Sequence, residues 1–192
     1  MILKISALLS SFLFLSCNQD TRKSDLEIYK LKSAELINQI LIDEEAIDCC
    51  CILEPFQGTY LDIKMMDTPA RDNKSDIVKA LELSNDSLFS HLNDLSRKFR
   101  IDELKLNSKM VIIKEGTFDS IFQQNGGQKG REIIWSKYPS GWLYISPPIF
   151  NVTFDIAVID VSYCNSPGGS QNIYKFINNK WVIQETISVW IS

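Results

Sequence analysis

The sequence predicts an α+β fold: N-terminal helices packed on a mostly antiparallel sheet that ends in a three-stranded C-terminal meander. Three observations predict it. The stretch from Trp142 to Ser192 is dominated by β-favouring residues, and Phe154 to Cys164 (FDIAVIDVSYC) is its longest unbroken run. A Pro167-Gly168-Gly169 break and an Asn178-Asn179 turn divide the remainder of that stretch into two further strands. Upstream, apolar residues recur at three- and four-residue spacings, as they do in helices that cover a sheet with one face.

The folded part is expected to begin at Ser24. The order Ser24-Asp25-Leu26-Glu27 places a hydroxyl at a helix N-cap and a carboxylate three residues on, able to satisfy the free backbone N–H groups reciprocally. Leu26, Tyr29, Leu36, Ile37, Ile40 and Leu41 then form one apolar stripe, so a helix is expected from Asp25 to about Ile42. The acidic group Asp43, Glu44, Glu45 and Asp48 ends it, because negative charge at a helix C-terminus opposes the macrodipole. Two short strands are expected next, one around Cys49 to Leu53 and one over Thr59 to Met66.

Asp67 to Lys74 reads as loop, and Asp72 or Ser75 can cap a helix carrying Ile77, Val78, Leu81 and Leu83. A further helix opens at Ser84-Asn85-Asp86. Its Leu88, Leu92, Leu95 and Phe99 suggest a buried stripe, with Ser87, His91, Asp94 and Lys98 on the polar face. Lys109 to Lys114 reads as a strand and Thr117 to Gln124 as one or two helical turns. Asn125 to Gly130 (NGGQKG) reads as loop, and Tyr138 to Gly141 as a turn.

In Phe154 to Tyr163 both strand faces are apolar, so this strand is expected at the centre of the sheet and covered twice. The final strand, Trp181 to Ile191, is expected to alternate. Trp181, Ile183, Ile187, Val189 and Ile191 would face inward, and Gln184, Thr186 and Ser188 outward.

At 192 residues, 45% apolar and 23% charged, the chain can bury the core of one domain. Its net charge of −4 and the lack of a clustered basic face argue against a nucleic-acid partner. The first sixteen residues, MILKISALLSSFLFLS, carry one early charge at Lys4 and an apolar run from Ile5 to Leu15, which is the pattern of a secretory signal. The run is too short to span a bilayer, which takes about 18 residues or more.

Leu15-Ser16-Cys17 resembles the lipobox of bacterial lipoproteins, with Phe14 standing where leucine is usual. The resemblance implies cleavage before Cys17, its lipidation, and a tether over residues 17–23 leading to a single domain over 24–192. Several acyl chains would make the attachment effectively permanent. Asn18 after the cysteine, by the same resemblance, implies an outer-membrane lipoprotein, periplasmic or surface-exposed.

Ser146, Pro148 and Phe150, then Tyr163 and Cys164, then Lys180, Trp181 and Trp190 form a pattern over roughly the last hundred residues. It resembles an uncharacterised family of Bacteroidota lipoproteins of unknown function. The family often has a second cysteine in the glycine-rich turn, where this chain has Pro167, Gly168 and Gly169, so a local disulfide across that turn is ruled out. The resemblance implies a fold and carries no activity.

No enzyme motif stands out. His91 is the only histidine, and with Ser87 and Asp94 it would make a triad only on one open helix face, which provides neither pocket nor oxyanion donors. A zinc site from the cysteine triplet, Cys164 and His91 lacks Cys-x-x-Cys spacing, so no metal and no cofactor are expected. A disulfide between Cys51 and Cys164 is the candidate that export permits, with buried thiols as the alternative. Asp155 and Asp160 point to opposite faces of one strand and cannot work as a pair; a strand end or polar rim is expected for them.

The aromatic residues Trp135, Tyr138, Trp142 and Tyr144 are the candidate ligand groove, with packing of the core as the alternative. The expected function is a non-enzymatic, lipid-anchored cell-envelope binding or scaffolding module, anchored in the membrane by its lipid and engaging a protein or glycan partner. A hydrolase or other enzyme acting on envelope polymers is the alternative.

Overall fold

The computed structural model describes residues 23–43, 51–54, 74–106, 110–163 and 168–190. The signal segment, Cys17, most of the tether, Cys49, Cys50, Asp72, Cys164 and the strand expected over Thr59 to Met66 lie outside the described residues.

The chain forms α1 (Asp25–Asp43), β1 (Cys51–Leu53), α2 (Lys74–Ala80), α3 (Asp86–Ser96), β2 (Val111–Ile113), α4 (Thr117–Asn125) and α5 (Gly127–Lys137). Five strands complete it: β3 (Leu143–Ile145), β4 (Ile149–Phe150), β5 (Ile156–Tyr163), β6 (Gly168–Ile177) and β7 (Lys180–Trp190). The sheet order is β2-β1-β3-β5-β6-β7, with β4 paired to β5. β1 runs parallel to β2 and β3, and the other pairings are antiparallel. This is the expected α+β architecture, with β5, β6 and β7 as the C-terminal meander.

Local chemistry explains the element ends. Ser24 donates from its N–H and Oγ to Glu27 Oε2 at 2.8 and 3.1 Å, and Glu27 N–H returns a bond to Ser24 Oγ at 3.3 Å. Asn85 Oδ1 accepts from Leu88 N–H at 2.9 Å and caps α3. Asn178 and Asn179 take φ of 51° and 63°, the two positive values that a tight hairpin between right-twisted strands requires.

One face of the sheet carries the main core. Tyr29, Leu36, Ile37 and Ile40 of α1 pack there with Phe89, Leu92 and Leu95 of α3 against Ile52, Leu143, Ile145, Phe150, Ala157, Ile159, Val161, Tyr174 and Trp181. Tyr29 meets Phe150 edge-on at 5.6 Å and donates its hydroxyl to the Pro148 carbonyl at 2.9 Å. The opposite face of the β1-β2 end carries a second cluster of Cys51, Ile113, Ile134 and Tyr138, covered by α4 and α5. β5 is central, and its residues from Ile156 to Val161 are all buried.

Four expectations are corrected. Asn125 to Gly130 is not a loop. Gly126, at φ 75°, ends α4 and starts α5 in a single residue, so the glycines serve a tight helix-to-helix turn. In α3 and just after it Leu92, Leu95 and Phe99 are buried as expected, but in the first turn the buried position is Phe89, and Leu88 is only half-buried.

The strict alternation of β7 fails as well. Its register against β6 slips past Gln184 and Ile187, two bulges that each insert an unpaired residue. Trp181 is buried, but Ile183 and Val189 are 50% and 72% exposed. The fourth correction concerns Asp160, which is neither at a strand end nor in a polar rim. It lies in the middle of β5 at 3% exposure.

Candidate functional site

Three of the four aromatic residues singled out in the sequence come together. Trp135 lies on α5, Tyr138 caps its C-terminus, and Trp142 leads into β3 across the Gly141 turn, where φ is 74° and Gly141 N–H donates to the Tyr138 carbonyl at 2.9 Å. Trp135 and Trp142 sit 5.6 Å apart, ring centre to ring centre. Phe118 of α4 closes the group, 4.6 Å from Trp142 and 5.9 Å from Tyr138. Tyr144 is half-buried two residues further along the chain than Trp142, on the same side of β3.

These rings divide into foundation and surface. Tyr138 is buried and Trp142 half-buried in the second core cluster, so they serve packing first. Trp135 packs on Trp142 and stays 43% exposed, and Phe122 on α4 is 37% exposed. The result is an aromatic shelf open to solvent at Trp135, and Gln128, Arg131 and Glu132, in the two helical turns before it on α5, are exposed as well. Lys137 Nζ stands 5.4 Å from the Tyr138 ring centre.

The close approach of the two helices holds the shelf in place. A Cβ at Gly130 would lie 2.6 Å from Phe122 Cδ1, so the α4–α5 contact needs glycine there. Phe118 and Phe122 were not singled out in the sequence. The spacing of Phe118, Ile121 and Phe122 on a helix facing the sheet was the signal that could have found them.

A second feature is polar and enclosed. Gln171 lies opposite Asp160 on β6 and donates its Nε2–H to Asp160 Oδ1 at 2.9 Å. Asp160 N–H donates to Ser146 Oγ at 2.9 Å, and Ser146 N–H donates to the Asp160 carbonyl at 3.0 Å. All three residues are buried. Burial pushes the Asp160 carboxyl up to about 7, and the Gln171 hydrogen bond draws it back only in part. The group can exchange a proton near neutrality, but at 3% exposure it has no opening to a substrate.

Asp155 differs from it in every respect. It belongs to the turn between β4 and β5, where Thr153 Oγ1 and Asn151 Nδ2 donate to its Oδ1 at 2.5 and 2.7 Å. Those bonds, from Thr153 first and Asn151 second, hold its carboxyl below the ordinary carboxylate range. Asn151 Oδ1 also accepts from the N–H groups of Asp155 and Ile156 at 3.0 and 3.1 Å, fixing a turn in which Phe154 takes φ 56°.

Ser87, His91 and Asp94 are exposed on α3, and His91 Nε2 lies 3.3 Å from Asp25 Oδ2 on α1. Cys51 is buried in the second cluster, and its candidate partner Cys164 is outside the described residues. No family model matches the chain, and no curated protein or solved structure is significantly similar to it.

Proposed function

We propose that this chain is a lipid-anchored cell-envelope protein that binds a partner without transforming it, and that the Trp135–Trp142 shelf is the contact surface. The observation that carries this reading is the arrangement of the shelf. An indole held 43% exposed against the half-buried Trp142 ring, near a helix turn that requires glycine, offers an apolar platform among polar neighbours. Sugar rings present flat C–H faces and peripheral hydroxyls, a chemistry that such a platform and its neighbours suit, so an envelope glycan is the favoured partner.

Anchoring rests on the Leu15-Ser16-Cys17 pattern and the preceding apolar run. Intact mass of the protein recovered from bacterial membranes tests it. The expected mass is that of a chain starting at Cys17 with acyl additions, and an unmodified N-terminus contradicts it.

The binding reading is tested on an array of envelope polysaccharides with the full chain and its Trp135→Ala variant. The wild type should bind at least one glycan class, and the variant should lose affinity about tenfold. Silence of the wild type across the array, or equal binding by both proteins, contradicts the reading. The enzymatic alternative draws on Asp160, whose carboxyl burial pushes up to about 7, but that carboxyl is enclosed on the central strand.

A further inference from the structure

The outer edge of β7 has the composition and symmetry of a self-pairing strand. Among the described residues β7 is the last strand of the sheet, eleven residues long, and its edge is lined by Val182 and Ile183 at 43% and 50% exposure. A long exposed edge with apolar side chains is a template for another strand, and proteins that do not use such an edge protect it with charge, proline or bulges. Here the bulges at Gln184 and Ile187 protect only the far part of the strand. From Lys180 to Ile183 the register against β6 is regular, and no other described strand pairs with this segment.

Its register identifies the faces. Val182 pairs with Lys175 and Glu185 with Ile173, so both lie on the face of β6 that holds those residues, with Gln184 as the extra residue between. Trp181 and Ile183 pair with Phe176 and Tyr174 on the other face, and Lys180 pairs with Ile177 on the face of Val182. Two identical strands joined antiparallel in one sheet are related by a two-fold axis normal to it, so each face must meet itself. Placing that axis at Val182 sets Val182 against its own copy, Trp181 against Ile183, and Lys180 against Glu185. Every pair then joins like faces, and the charged pair joins opposite signs. Lys180 and Glu185 are both exposed, and neither is ion-paired with another described residue.

We propose that a second copy of this chain adds to the outer edge of β7, antiparallel and centred on Val182, to give a two-fold dimer with a continuous sheet. The isologous pairing uses the same edge on each copy and closes on itself, so it stops at two. The dimer is independent of the glycan reading, because β7 and the aromatic shelf lie on different elements.

Sedimentation equilibrium of the full chain in density-matched detergent tests the register. Wild type should show a monomer–dimer equilibrium. K180E and E185K should each weaken it about tenfold, since either reversal sets like charges opposite each other at two symmetry-related places. The K180E/E185K double variant should return to within about threefold of wild type. A chain that stays monomeric, a dimer indifferent to both single reversals, or a double variant as weak as the singles would overturn the proposal. A Val182→Cys variant supplies a second reading: under mild oxidant it should cross-link to its own copy more than the parent chain does, whereas Val189→Cys should not. Equal cross-linking at the two positions, or pairing of this edge only with a strand from a different protein, would also overturn it.

Discussion

Asp160 is the residue through which the fold should sense pH. Its carboxyl has an ordinary value of 3.8 in the unfolded chain and is pushed to about 7 in the folded one by burial, so the folded state holds a proton across that interval that the unfolded state has released. Stability from this group is therefore complete below about pH 4 and is lost as pH rises through 7. The loss is roughly 1.4 kcal/mol for each pH unit between the two values, or a few kcal/mol in all. Asp160→Asn keeps the shape and removes the titration. Urea melts from pH 4 to 8 should find the variant less pH-sensitive across this window and more stable than wild type at pH 8. Parallel pH profiles for the two proteins would mean that the carboxylate is solvated after all.

Trp181 tests packing at the same scale. Its ring lies 5.2 Å from Phe176 and 5.8 Å from Phe150 in the main core, at 3% exposure. Trp181→Ala should cost about 3–5 kcal/mol in chemical denaturation, a large part of a domain's net stability. A midpoint within experimental error of wild type would remove this residue from the core. The burial of Trp181 was legible in the sequence, because a bulky apolar residue just after an Asn-Asn turn has one inward position open to it. The environment of Asp160 was not. Carboxylates alternate with apolar residues on many strands, and only the strand opposite, with Gln171, shows that this one points inward.

At the scale of elements, the α4–α5 hairpin depends on the absence of a side chain. Gly130→Ala would drive a methyl into Phe122, which has its own Cα 3.3 Å from the added atom and cannot swing fully clear. The expected cost is about 1–3 kcal/mol, and in a Phe122→Ala background the same change should cost much less. Equal costs in both backgrounds would place the strain elsewhere. Capping of α3 gives a milder case: Asn85→Ala should cost about 1 kcal/mol, read from the same melts.

The helices with caps and long apolar stripes, α1 and α3, were legible because their signals are local. The α4–α5 turn was not, for the opposite reason: a glycine-rich run is loop by composition, and only contact with Phe122 shows that two of those glycines belong to a helix. The β7 bulges were equally invisible, since a strand's alternation assumes a register that β6 sets from outside.

For the whole molecule, the α+β class and the meander could be read from strand composition and turn residues. The parallel pairing of β1 with β2 and β3 could not, because such pairs are joined through distant segments and leave no local mark. The layers matter for function. With α1 and α3 covering one face and α4 and α5 the opposite face at the β1-β2 end, the aromatic shelf built on that second cluster lies apart from the α1–α3 layer, where a partner can reach it.

Oxidative footprinting of the full chain, free and mixed with a native envelope fraction, tests the central claim most directly, because it reads each tryptophan where it stands. Trp135, 43% exposed, should be readily modified in the free chain and protected severalfold by the envelope fraction, while Trp181, 3% exposed, should stay slow in both. Unchanged modification of Trp135 in the presence of a fraction that retains the protein would contradict the shelf as its binding surface.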